Sequence, residues 1–464
     1  MLTPRVMRVW ARPVAAACSR YSTMATPFKI EILPKDAGLL GMKLGSEEAS
    51  KVSELLQRDL EHHHVFFNAS GFHDHIVHHI LTLYGTGASA KDMDIAYDAN
   101  KGYQLKAMKP KQEMVDNLEH GSDWANYLGK GRNYAAFLRF FQDEIQRVGW
   151  QEVLNEYLFK NDDRGRDMKS RLFGGLLHPL IQMLYAIEWE QPMLVASALA
   201  QTAVHENKLH DFLTTAAANA KADDAPPKMS TILGLLDDIK SNEKTRNSAR
   251  WNDSQPMFQG VLGRARDEMA VLATRVRVNE DEVEERTAEM VHTAAYMAAG
   301  AAFHPPHTPK FDFFLMHHVT STPFFLSLNA KPWIPASTKA QLLEYKIRMD
   351  LLTYAARGCP TLHGDLLREY TPRDGKLADK MEDLLPRFHK IVDDGHTVKL
   401  ARALILAKRT TELFEDKEWV KIKGDEWLRV MHLLLDANEN AGGTMWVRGA
   451  GFDQAWDDIP KARM

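Results

Sequence analysis

Within "GFHDHIVHHILTLYGTGAS", residues 71–89, four histidines occupy seven positions: His73, His75, His78 and His79. They closely follow the run "EHHH" at 61–64. Neutral imidazole is a ligand for transition metals and also a hydrogen-bonding group of protein cores, so spacing decides which rings can act together. At 100° per residue, a helix would put His75, His78 and His79 on one arc of about a quarter turn and His73 on the far side. His75 and His79 have the i, i+4 spacing that lets two imidazoles hold one ion. A buried, hydrogen-bonded core histidine is the ordinary alternative, and a metal site needs further ligands from elsewhere.

The run "HPLIQMLYAIEWEQPMLVASALAQTAVH" supplies His178 and His205. His178 precedes Pro179, a preferred first residue of a helix, and Gln191-Pro192 breaks that helix before a second one ends near His205. Such a hairpin returns the chain to its start and makes His178 and His205 neighbours. Each also has an ordinary role, one at a helix start and one as a cation at a helix end. In "PKFDFFLMHHVTSTPFF", His317 sits among Phe313, Phe314 and Met316, so it is expected to be buried and in need of a partner, with His318 turned outward or in support. In "LLEYKIRMDLLTYAARGCP", Lys346 and Asp350 lie one turn apart on the face of Leu343 and Tyr354. They are either an i, i+4 ion pair or a lysine placed near a metal. In the second case burial makes the amine neutral, able to act as a base or to add carbon dioxide and become a carbamate oxygen ligand.

The elements that must position these side chains are helical. Apolar residues recur at three and four spacing through "SEEASKVSELLQRDLEHH", "AAFLRFFQDEIQRVGWQEVLNEYLF", "DEMAVLATRVRVNEDEVEERTAEMVHTAAYMAAG" and "TKAQLLEYKIRMDLLTYAARG", and strand signals are scarce. The breaks between them, such as "AKADDAPPKMS" and "FHPPHTPKFD", are too short to mark domain boundaries. Residues 24–464 are therefore expected to form one large all-α, multi-helical domain with a histidine-rich metal site between helices.

Composition narrows the partners. The formal charge is −4 with acids and bases interspersed, so no polybasic surface suits nucleic acid. No run has the apolar length of a membrane span. The two cysteines, Cys18 and Cys359, exclude a disulfide framework and a cysteine-rich metal site. Residues 1–23 carry Arg5, Arg8, Arg12 and Arg20 with no acid, and "SRYST" looks like a matrix-processing site. This predicts a mitochondrial transit peptide; translation from Met24 would instead leave the protein in the cytoplasm.

Taken together, "FHDHIVHHILTLYGTGAS", "HPLIQMLYAIEW", "KFDFFLMHHVTS", "LLEYKIRMDLLTYAARGCP" and "AGFDQAWDDIP" resemble the fungal questin oxidase-like family, in order and over nearly the whole chain after the leader. The resemblance implies oxidative ring opening of anthraquinones and related polyketides, by Baeyer-Villiger-type oxidation or by dioxygenation at a non-haem iron. Position by position it points to His75, His78 or His79, to His178, to His317 and to Lys346; His205 is added by the hairpin. Asp74 stands where an amide is expected, and "QMLYAIEW" lacks a further histidine often seen after "HPLI". The implied partners are dioxygen and a flat aromatic substrate, with iron(II) as cofactor. Ground-state dioxygen reacts slowly with closed-shell molecules, and a redox metal with an open position activates it.

Two other functions compete. An NADPH-dependent oxidase is suggested by "GTGASA", residues 85–90, which matches G-x-G-x-x-A but follows a helix and lacks the βαβ context of a Rossmann site. A helical scaffold or metal-storage protein would use the histidines structurally. Metal content and oxygen uptake separate the three.

Overall fold

Helix follows helix from Ser46 to Asn438 in the computed structural model, which describes residues 25–121 and 124–462. Among the described residues there is no β-sheet, only isolated bridges such as Phe66 to His73 and Asp312 to Val447. The expected transit peptide, residues 1–23, lies outside the described residues. No helix among them is long and apolar enough to cross a membrane.

One apolar core runs from Ile30 to Ile459, and the longer helices pack around it. Tyr134–Val148 lies against Pro192–Val204, which lies in turn against His178–Glu188. On the other side, Val283–Gly300 packs on both Phe313–Thr320 and His396–Thr411, and His396–Thr411 also meets Ile76–Gly85. The hairpin break expected at Pro192 is present, with Pro179 and Pro192 each in a first turn where the missing N–H costs nothing. "TKAQLLEYKIRMDLLTYAARG" forms the Ala336–Ala356 helix.

Two of the periodic stretches divide. Gly149, at φ 88°, ends the first helix of "AAFLRFFQDEIQRVGWQEVLNEYLF". Between Arg266–Thr274 and Val283–Gly300 the α-helix is interrupted: the alternating Val276 and Val278 are buried, and Asn279 and Glu282 form a capping box around the short 3-10 turn Glu280–Glu282. "GTGASA" joins one helix to the next: Gly87 turns at φ 86°, and Ser89 caps the following helix by accepting from the Asp92 N–H. This is no strand-to-helix phosphate loop.

Candidate functional site

Four imidazoles converge where four helices meet. His75 is the residue just before Ile76–Gly85, His178 and His396 are the first residues of their helices, and His317 lies inside Phe313–Thr320. All four are buried, and one ring nitrogen of each lies within 4.8 Å of those of the other three. His75 Nε2 is 2.9 Å from His178 Nε2, and His317 Nε2 is 3.1 Å from His396 Nε2.

On three of the four rings a hydrogen bond on the far side fixes which nitrogen is bare, whereas His75 Nδ1 is buried without a hydrogen-bond partner. His178 Nδ1 donates to the Gly175 carbonyl at 2.7 Å and His317 Nδ1 to the Phe313 carbonyl at 2.6 Å. His396 Nδ1 donates to the Asp394 carboxylate. A carbonyl only accepts, so these Nδ1 atoms carry the protons and each Nε2 of a neutral ring keeps its lone pair. The rings are neutral: burial holds His75, His317 and His396 well below the ordinary histidine range and takes His178 down to about 3. Bare nitrogens facing one another without a proton repel, and a shared cation relieves this. Metal–nitrogen bonds of about 2.1 Å allow at most about 4.2 Å between two ligands, so the cluster fits one ion after closing by a few tenths of an ångström.

The local backbone is built for this placement. Gly175, Leu176 and Leu177 all have positive φ, at 50°, 54° and 66°, so a left-handed coil leads into His178 and brings the Gly175 carbonyl under its ring. For the two leucines this conformation costs roughly 1–2 kcal/mol each. At the other helix start, Asp393 accepts from the N–H groups of Gly395 and Thr397. Gly395 has φ 88°, and a Cβ there would stand 2.5 Å from His79 Cγ.

The questin oxidase-like family matches residues 72–404, a span containing all four histidines. The chain belongs to the questin oxidase-like family. Questin oxidase of Aspergillus fumigatus is 33% identical over 449 residues, 94% of this chain and 100% of the relative. The Baeyer-Villiger monooxygenase dmxR6 of Cryptosporiopsis sp. is 33% identical over 446 residues, 93% and 98% respectively. Oxidoreductase AflY of Aspergillus parasiticus is 34% identical over 430 residues, 91% and 86%. This questin oxidase-like protein is accordingly an enzyme, an oxidoreductase of the oxygenase kind.

Not every residue singled out from the questin oxidase-like sequence reaches the four-histidine centre. The helix begins only at Ile76, so the angular reckoning that placed His75 with His79 and turned His73 away does not apply. His79 lies against Gly395 instead, with burial lowering it to about 4. His78 Nε2 bonds Gln182 at 2.7 Å. His73 stacks flat on His178, with ring centroids 3.9 Å apart and planes 5° from parallel, and its Nε2 is 2.8 Å from that of His205. His205 therefore meets His178 only through His73. Lys346 is fully buried and paired with Asp350, whose Oδ1 also accepts from His318 Nδ1 at 2.5 Å. His318 is thus buried rather than outward-facing, and Lys346 stands behind it.

Two residues of the centre escaped the sequence reading, His396 and Lys399. Lys399 is buried, and no hydrogen bond or ion pair to its ammonium exists among the described residues. Burial lowers it to about 8, and its charge depresses His75, His78, His178, His317 and His396, which places it beside the centre. The available signal was "DDGHTVKLARALILAK": an acid-glycine helix start, then a histidine and a lysine at i, i+3 on one face of the helix.

Beside the centre this questin oxidase-like fold has a cavity of about 880 Å³. Phe173, Phe314 and Met349 line it, with the Gly174–Leu177 coil, His205 and His318 on its wall. None of the four histidines lines it, but Gly175 on its wall accepts from His178 Nδ1 through its carbonyl.

Proposed function

We propose that this chain is a non-haem iron(II) oxygenase that opens, or inserts oxygen into, a ring of a polycyclic quinone of the anthraquinone type. The observation that carries the reading is the convergence of four buried, neutral imidazoles, three of them with the Nδ1 proton committed so that Nε2 is bare, beside an aromatic-walled cavity. Relatives named questin oxidase and Baeyer-Villiger monooxygenase support the substrate class. His75, His178, His317 and His396 are the ligands. Iron(II), when bound, supplies the one-electron chemistry that triplet dioxygen requires.

The protein's own groups do the rest. The Gly175 and Phe313 carbonyls and the Asp394 carboxylate hold three rings in the tautomer that ligates. Phe173 and Phe314 supply apolar surface for a flat substrate and keep water out. We assign to Lys399, rather than Lys346, the role of the amine beside the centre: buried and unpaired among the described residues, it would add carbon dioxide, releasing a proton, to offer a carbamate oxygen. Insertion of one oxygen atom leaves the second to be reduced to water and needs two electrons from a donor such as NADPH, whereas dioxygenation needs none.

Anaerobic loading with iron(II), followed by oxygen uptake with a hydroxyanthraquinone, tests the function. One iron per chain and substrate-dependent uptake are expected, and the number of oxygen atoms in the product separates the two chemistries. Uptake that is independent of iron, or that survives His317→Ala, overturns it. The leader further supports action in the mitochondrial matrix; a C-terminal fluorescent fusion of the full-length chain that stays diffuse in the cytosol contradicts this.

A further inference from the structure

The motif "LLTYAARGCP" carries a charged group that the metal centre does not use. Arg357 ends the Ala336–Ala356 helix and is only 6% exposed. Among the described residues its guanidinium has no hydrogen bond and no ion pair, and its Nε is enclosed without a partner. The acid whose charge acts on it, Asp312, is already committed: its oxygens accept from the N–H groups of Phe314, Leu315, Gly449 and Ala450. The guanidinium lies over the Phe314 ring instead, 4.0 Å from the centroid, and both residues line the cavity.

Arginine cannot escape burial by losing its proton, so a desolvated guanidinium without acceptors is stabilised only when something else supplies them. Stacking on a phenyl face holds the planar fork in one orientation, which suits two oxygens side by side. The rest of the wall agrees in charge: Lys106, Arg132 and Lys208 stand around the cavity against the one carboxylate of Glu206. Thr353, one turn before Arg357, adds a hydroxyl, which is 2.8 Å from His318 Nε2.

We infer that Arg357 anchors the substrate by binding an adjacent pair of oxygens that shares a negative charge. An ionised hydroxyl beside a quinone carbonyl offers such a pair, and so does a carboxylate. This rests on the reading of the cavity as the seat of an aromatic substrate. Arg357 then selects ionised guests over their ethers and sets which edge of the ring system points toward the Gly174–Leu177 coil and the metal centre behind it.

The test is an anaerobic binding titration of the iron-loaded full chain with three probes: 1-hydroxyanthraquinone, its methyl ether and anthraquinone-1-carboxylate. The wild type should bind one of the two anions about 10- to 100-fold more tightly than the ether, the range of a charged hydrogen bond. If it is the hydroxyquinone, the bound ligand should show the red-shifted spectrum of its phenolate; if it is the carboxylate, that arm names the source. Arg357→Gln should abolish the preference and leave the ether's affinity unchanged, and Arg357→Lys should keep part of it. A wild type that prefers neither anion overturns the inference without any variant, and so does a preference that persists in Arg357→Gln or is undiminished in Arg357→Lys. Failure of the wild type to bind any of the three overturns the aromatic-substrate reading itself.

Discussion

His317 and His396 meet Nε2 to Nε2 at 3.1 Å across 79 positions of the chain, each with its other ring nitrogen already committed. Two lone pairs pointed at each other cannot share a hydrogen bond, and the iron proposed above would relieve their repulsion. His396→Ala should therefore remove iron and oxygen uptake together while the circular dichroism stays helical. His79→Ala, at a ring that packs on Gly395, should keep full metal stoichiometry. Metal analysis of the two folded variants decides, and iron retained by His396→Ala would exclude that residue.

The two buried lysines should respond in opposite ways. Lys346→Met strands Asp350 without its cation, and breaking such a buried pair costs about 3–5 kcal/mol. Iron per folded molecule should not change. Lys399→Met removes a buried amine that has no partner, so urea stability should hold or rise while oxygen uptake is lost. Equal stability losses in both would contradict the assignment.

Gly395→Ala should cost roughly 1–2 kcal/mol from its left-handed backbone alone, with more from the Cβ driven against His79. Gly375→Ala, at φ 72° with nothing within 4 Å of a Cβ, should show only the backbone part. Because Gly395 precedes His396, only the first variant should also weaken iron binding. Urea melts with and without iron make the comparison.

Acid should destabilise the metal-free fold. Burial lowers His178 and His292 to about 3 and His205 to about 4, whereas in the unfolded chain each titrates near 6.5. Below about pH 6.5 the unfolded state binds protons that the native state refuses, so stability is full above that pH and is lost as pH falls toward 4, by up to roughly 1.4 kcal/mol per unit for each group. His292→Asn should flatten the slope, since His292 Nε2 accepts from the N–H groups of Lys421 and Ile422 and loses both on protonation. A melting temperature constant from pH 7 to 5 would refute this.

Much of this protein was decided locally and could be read in one dimension. Helical periodicity placed Ser46–His62 and Ala336–Ala356, Pro192 placed the hairpin turn, and the apolar setting of His317 implied its burial. These follow from interactions within a few residues, where spacing along the chain and distance in space agree. The four-histidine centre obeys no such rule. His75 joins it as the residue before a helix, not as part of one, so i, i+4 spacing does not carry His79 to the same point. His73 slipped between His178 and His205, and Lys346 was claimed by Asp350 before any metal could use it. His396 and Lys399 stand on a helix whose sequence has no other histidine, and they reach the site only because His396–Thr411 packs against both Ile76–Gly85 and Phe313–Thr320. Imidazoles from four distant segments can be gathered only by packing, because the apolar faces that press these helices together determine which buried polar groups finally meet.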